Sequence, residues 1–185
     1  MSSKTDARRN DLRTHLLDLG EAVIVEHGLS ALKARDLAKQ ADCSVGTIYN
    51  VFTDLHQLAL AINGRTFARL GAQVSTAKPQ DVENPRAQLV ANTNAWTALF
   101  EIDMAEGEDI PDWYMASLEA LFDHIRRPVQ ALRPDLNAED VEFLVRGLFS
   151  SIHGIVWLGL QKRISAVPRA ELDRMISLIL SEIGT

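Results

Sequence analysis

Residues 28–52 read GLSALKARDLAKQADCSVGTIYNVF, and the fold turns on this stretch. Gly28 suits the position just past a helix end, where the backbone commonly turns left-handed. Leu37, Ala38 and Ala41 then recur at helical spacing and give a short helix over about 34–41. Asp42 and Cys43 form a turn. The Ser44 hydroxyl can take an orphan N–H of a second short helix, about 45–51. Two short helices across a tight turn, preceded by a longer helix, are the layout of a helix-turn-helix unit. In such a unit the second short helix lies in a DNA major groove.

The residue types suit that task. Gly46 lets a backbone come close to DNA. Thr47 can hydrogen-bond a base edge or a phosphate, and its methyl, with Val45, can meet a thymine methyl. Tyr49 and Asn50 can reach bases or phosphates, while Lys33 and Arg35 reach phosphates from the first short helix. Ser44 stands at the start of the second helix, where free N–H groups favour phosphate. The candidate DNA-binding residues are Lys33, Arg35, Ser44, Val45, Gly46, Thr47, Tyr49 and Asn50.

Outward from this unit the chain reads as helix throughout. Leu12, Leu16, Leu19 and Val23 share one face of a helix over about 6–27. Thr53 or Asp54 can cap a longer helix to about 76, with Leu55, Leu58 and Ile62 inward. KPQDVEN, residues 78–84, is a loop, and Asn84-Pro85 opens a helix carrying Leu89, Trp96, Leu99 and Phe100 to about 103. Another helix spans about 112–132, and Pro128 should kink or end it. Asn137 caps a long helix over about 138–163, and a last helix covers about 169–183. No period-2 alternation marks a strand. The fold class is all-α: an N-terminal three-helix helix-turn-helix domain, residues 1–53, and a C-terminal helical bundle domain, residues 54–185, with about nine helices.

The chain has 185 residues, 46% hydrophobic and 24% charged, which is an ordinary globular composition. A net charge of −6 argues against a protein that coats nucleic acid by bulk charge. The charge is uneven: residues 1–17 are net +2 and 28–50 net +1, whereas 61–185 are net −5. A single cysteine, Cys43, excludes an internal disulfide framework and fits a reducing cytoplasm. No run is read as long and apolar enough to span a membrane, and the first ten residues lack the apolar core of a secretory signal. The expected location is cytoplasmic, with no membrane partner.

Over about residues 12–58 the chain resembles the TetR family of bacterial transcription regulators, carried by GLSALKARDLAKQADCSVGTIYNVFTDL, residues 28–55. The resemblance places Arg35-Asp36-Leu37-Ala38 in the first short helix. It makes Ser44-Val45-Gly46-Thr47-Ile48-Tyr49 the turn and recognition helix, with Phe52 in the core. Three positions depart from the family pattern. Lys33 replaces the usual hydroxyl, Val51 the usual aromatic or histidine, and Leu55 the usual lysine. The departures at Val51 and Leu55 predict a weaker, less salt-sensitive phosphate grip, which Lys33, Arg8, Arg9 and Arg13 can offset.

The resemblance implies a homodimeric repressor on a near-palindromic double-stranded operator, released by a small, largely apolar effector. The alternative is a DNA-binding regulator whose C-terminal domain only dimerises or docks a protein partner. Aromatic enrichment between residues 96 and 157 nominates a pocket of Trp96, Phe100, Met104, Trp113, Tyr114, Phe122, His153 and Trp157. The same spacing also fits plain core. The apolar surface of the last two helices nominates Val141, Leu144, Leu148, Ile152, Leu172, Ile176 and Ile179 for a two-fold contact. The acidic run around 101–112 lacks a calcium-loop pattern, and the five histidines form no ligand set, so neither metal nor cofactor is expected. No catalytic constellation is visible, and an enzyme is not expected.

Overall fold

The structure, a computed structural model, describes residues 2–76, 93–102, 109–160, 168 and 171–184. Among these residues there are eight α-helices and no strand: α1 (Ser2–His27), α2 (Ala34–Gln40), α3 (Val45–Val51), α4 (Leu55–Thr76), α5 (Thr93–Ala98), α6 (Asp112–Leu132), α7 (Ala138–Leu160) and α8 (Leu172–Ser181). Short 3-10 turns cover Leu29–Ala31 and Glu182–Gly184. The chain divides into two compact units, Met1–Arg69 with Ala91–Met115, and Leu70–Val90 with Ala116–Thr185.

In the first unit, Leu16, Ile24, Leu37, Ile48, Phe52, Leu58 and Ile62 form the core. Gly28 ends α1 with φ 83°, and its N–H donates to the Ile24 carbonyl at 2.8 Å. The inward stripe of α1 differs slightly from the one expected. Leu16, Leu17, Gly20 and Ile24 are its buried centre, and Leu12, Leu19 and Val23 flank it half-buried. Gly20 escapes a search for apolar residues, yet a Cβ there would lie 2.8 Å from Ile62 Cδ1, so its small size sets the approach of α1 to α4. Asp54 is the cap of α4, its Oδ1 accepting the Gln57 N–H at 2.7 Å.

α5 ends at Ala98, about five residues before the expected end, and Leu99 and Phe100 close it through N–H bonds to Trp96 and Thr97 carbonyls at 3.2 and 3.0 Å. The expected loop at 78–84 and the start of the Asn84-Pro85 helix lie outside the described residues, as do residues 161–163 at the expected end of α7. α6 runs through Pro128 to the expected end at Leu132; the proline is exposed and costs a backbone donor without disturbing a core contact.

In the second unit Phe122, Val129, Val141, Val145, Leu148 and Ile183 are the core, and the Phe122 and Phe149 rings meet edge-on at 5.1 Å. Asn137 caps α7, its Oδ1 accepting the Asp140 N–H at 2.9 Å. The expectation that no segment is apolar enough for a membrane needs correction. Residues Ala138–Gly159 meet that criterion by length and hydropathy. The helix nevertheless packs Val141, Val145 and Leu148 into the second unit's core, and its Glu142 and Arg146 are ion-paired.

That ion-pair network is centred on Arg126. Its Nε and Nη2 reach Glu142 Oε2 at 3.0 and 2.9 Å, its Nη2 reaches Glu119 at 3.1 Å, and its Nη1 pairs with Asp123. Arg146 joins Glu119 and Glu142 at 3.1 and 2.9 Å. The hydrogen bond from Arg126 holds the Glu142 carboxyl below the usual carboxylate range. A carboxyl lowered in the folded state adds stability above its unfolded pKa of about 4.3 and loses it as pH falls through the folded value. The variant Arg126→Met should therefore unfold more readily at pH 7. It should also show a smaller loss of denaturant midpoint between pH 7 and pH 3 than the wild type. Parallel urea titrations at the two pH values check both.

Candidate nucleic-acid interface

The site is built on α2 and α3. α2 starts at Lys33, whose backbone is extended (φ −134°, ψ 131°) and whose side chain makes no cap; its carbonyl accepts the Leu37 N–H at 3.1 Å. Leu37 and Ala38 turn inward, leaving Lys33, Arg35 and Lys39 exposed. Asp42 takes a left-handed φ of 48°, a region that aspartate enters more readily than most non-glycine residues. The Cys43 N–H then donates to the Ala38 carbonyl at 2.9 Å and closes the turn.

Ser44 starts α3. Its Oγ accepts the Thr47 N–H at 3.0 Å, and the Ser44 and Thr47 hydroxyls share a hydrogen bond at 2.8 Å. On the inner side of α3, Ile48 is 0% exposed and Phe52 closes the core beneath. On the outer side Gly46, Tyr49 and Asn50 are exposed, Tyr49 by 45%, and Val45 and Thr47 are half-exposed. A Cβ at Gly46 would meet only Ser44 Oγ at 3.7 Å, so nothing within the domain demands glycine there. Lys33, Arg35, Val45 and Tyr49 are brought together around one open cleft that Leu32, Ala34, Asp36 and Leu55 also line. Leu55 thus gives an apolar wall to a cleft with two cations at its rim.

Two contacts at this site escaped the sequence reading. Arg9 Nη2 donates to the Asn50 carbonyl at 3.0 Å, and the Arg13 guanidinium lies 4.7 Å from the centre of the Phe52 ring. The sequence marks the two arginines only as an i, i+4 pair on the α1 face that continues into Leu16, Leu17 and Gly20; their partners on α3 lie far along the chain.

The pocket candidates divide between the units. In the first, Trp96 and Phe100 lie 5.7 Å apart, while Tyr114 meets Phe67 edge-on at 5.5 Å and Trp113 at 5.8 Å. Phe100 and Trp113 are exposed. Asn63, 1% exposed, donates its side-chain N–H to the Ala98 carbonyl at 3.0 Å and is also hydrogen-bonded to Tyr114. Burial pushes the Tyr114 phenol up, and the Asn63 bond pulls it the other way. In the second unit Phe122 is core, His153 is half-buried with its imidazole pKa lowered by burial, and Trp157 is exposed. Met104 lies outside the described residues. Among the described residues no three His, Cys, Asp or Glu side chains converge to hold a metal.

Of the residues nominated for a two-fold contact, Val141, Leu148 and Leu172 are buried within the second unit, and Leu144, Ile152, Ile176 and Ile179 are half-buried. The apolar side chains that α7 and α8 leave outside are Phe143 (67% exposed), Trp157, Leu158, Leu178 and Leu180. Gly147 and Gly154, seven residues apart on α7, would each have open space around a Cβ.

Two short helices at a tight turn, fixed on a long first helix with a polar outer face, define a helix-turn-helix domain. A family model of the bacterial regulatory proteins, tetR family, matches residues 16–62, which covers α2 and α3, the second half of α1 and the start of α4. Over these residues the chain is similar to the DNA-binding domain of that family. It is also 33% identical over 73 residues to the HTH-type transcriptional repressor KstR of Mycolicibacterium smegmatis. That stretch is 40% of this chain and 35% of the relative, so the match spans about a third of the relative's length.

Proposed function

We propose that this protein is a transcriptional repressor that binds a near-palindromic operator as a homodimer and is released by a small, largely apolar effector. The observation that carries the reading is the two-sided α3. Its inner face is fixed by Ile48 and Phe52, and its outer face offers Thr47, Tyr49 and Asn50 beside the cations Lys33 and Arg35. Ser44 orders the first turn, Val45 offers an apolar contact, and Gly46 leaves room for DNA to approach. Residues 1–53 are the reading head, and residues 54–185 bind the effector and dimerise.

The exposed Phe100 and Trp113 beside the Asn63–Tyr114 pair supply aromatic surface with a polar anchor for an apolar ligand. The outward Phe143, Trp157 and Leu158, with Gly147 and Gly154 permitting close approach, support pairing of α7 with its copy. α4 begins four residues after α3 ends and carries Asn63 of the proposed effector surface, so it is the direct covalent path from effector to reading head. By linkage, an effector that weakens operator binding is itself bound less tightly by the operator-bound protein, by the same factor.

The test is selection of binding sites from a randomised duplex library near physiological salt, where non-specific binding is suppressed. An enriched near-palindrome is expected. On it, Thr47→Ala and Tyr49→Ala should each weaken binding by about 1–3 kcal/mol, the range for a base-specific contact. Gly46→Ala should also weaken binding while leaving the free protein equally or slightly more stable, by up to about 0.5–1 kcal/mol, because alanine is the better helix former. A flat selection from folded, effector-free dimer would sink the operator reading.

A further inference from the structure

We propose that Arg9 and Arg13 of α1 are positioning residues for the recognition helix: they hold the C-terminal end of α3 and act on operator choice through Tyr49 and Asn50, not through phosphate. This rests on the operator reading above. α3 has only seven residues, and its two ends are treated differently. The N-terminal end is capped within the helix by Ser44. The C-terminal end has no basic side chain in its last turn, and it leaves through Phe52 in an extended conformation (φ −125°, ψ 117°) instead of a left-handed cap. The last carbonyls of a helix lack intrahelical donors and carry its partial negative charge.

One of those carbonyls, that of Asn50, receives the Arg9 guanidinium at 3.0 Å. One turn further along the same face of α1, Arg13 stacks on Phe52, the residue that closes α3. Phe52 is itself buried, so its ring is fixed by the core below and covered by a cation above. The two arginines, on consecutive turns of α1, therefore touch one junction, from Asn50 to Phe52, and that junction sets the angle at which Tyr49 and Asn50 leave the domain. Val51, which stands where the resembled family usually has an aromatic or histidine, places more of the burden of fixing this end on α1.

The experiment starts from the duplex that the wild-type protein selects. Binding of Arg9→Gln, Arg13→Leu and Arg13→Lys to it is measured across a salt series. Hydrogen exchange of residues 49–52 is followed in the free proteins, whose folding is checked by thermal melting. Positioning predicts a loss of specific affinity of about threefold to tenfold per variant, from the loss of one helix-end or cation–π contact. It also predicts an unchanged salt slope, faster exchange at 49–52, and looser base preference only where Tyr49 and Asn50 read. Arg13→Lys should fall between wild type and Arg13→Leu, because lysine keeps the charge and loses the planar face.

A salt slope that drops by about one per arginine removed would make these residues phosphate contacts and overturn the inference. Unaltered exchange in the variants would overturn it as well. If the wild type selects no duplex, the operator reading falls separately, and exchange alone then decides whether α1 holds α3.

Discussion

Ile48→Ala is expected to destabilise the first unit by about 2–5 kcal/mol, the range for truncating a fully buried isoleucine. Ile48 is 0% exposed and belongs to the core cluster with Leu16, Leu37, Phe52 and Leu58. A seven-residue helix has almost no stability of its own, so α3 is helical because this side chain and its neighbours bury it. Removing three carbons from the centre of that contact leaves a cavity which α1, α2 and α4 can fill only by moving. Since whole domains are stable by only about 5–15 kcal/mol, the loss is a large share of the total and should also weaken operator binding at 37 °C. Tyr49→Ala, one residue on and exposed, should change stability by about 0.5 kcal/mol or less. Urea unfolding of the two variants side by side checks the pair. Equal destabilisation would mean that α3 is not seated on Ile48.

The second large effect is a buried charge. Asn63→Asp keeps the size and shape of the side chain and changes its protonation chemistry. The amide is 1% exposed, donates to the Ala98 carbonyl and bonds with Tyr114. A carboxylate there faces a carbonyl with no proton between them and has little water to solvate it. The cost at pH 7 should be about 3–5 kcal/mol, the range for an uncompensated buried charge. A protonated carboxyl would restore a donor to the Ala98 carbonyl and leave an acceptor for Tyr114. The folded-state pKa of the new aspartate must therefore lie above its unfolded value of about 3.9. With a raised pKa the folded state binds the extra proton, so stability is recovered below the unfolded value and lost as pH rises through the folded one. The trend is opposite in sign to that of Glu142, and melting temperature against pH for wild type and variant reads it directly. A variant as stable as the wild type at pH 7 would show that water reaches Asn63.

The reading head was the most legible part of the sequence, because its signals are local. The bounds of α3, its Ser44 cap and the stop at Gly28 depend on residues within one or two turns, and the structure has them where the spacing put them. Tyr49 and Arg35 come to one cleft because a four-residue turn, residues 41–44, leaves the two short helices little freedom. What was less legible depends on distant parts of the chain. Gly20 matters through Ile62, Arg9 through Asn50, and Asn63 through Ala98 and Tyr114. None of these pairs is close enough in sequence for a periodic pattern to reveal it. Aromatic enrichment found residues suited to a pocket but not their neighbours: Phe122 serves a core, while Phe100 and Trp113 lie exposed in the other unit. The stripe on α7 was visible as apolar, yet its regular spacing marked the side that faces the core of its own chain. The outward side is marked by single large residues such as Phe143.

The two-sidedness of α3 also bears on how such a protein can diverge. On the proposed operator reading, recognition and folding are written on opposite sides of two turns of helix, with Gly46, Tyr49 and Asn50 outside and Ile48 inside. A duplicated copy could acquire a new operator by changing a few outward letters while the inward ones keep the domain intact. Drift in DNA preference is then nearly free of structural penalty, whereas drift at the backing is not. Transplanting the outward residues of a related reader as a set, with Ile48 and Phe52 retained, should move the operator preference and leave the melting temperature almost where it was.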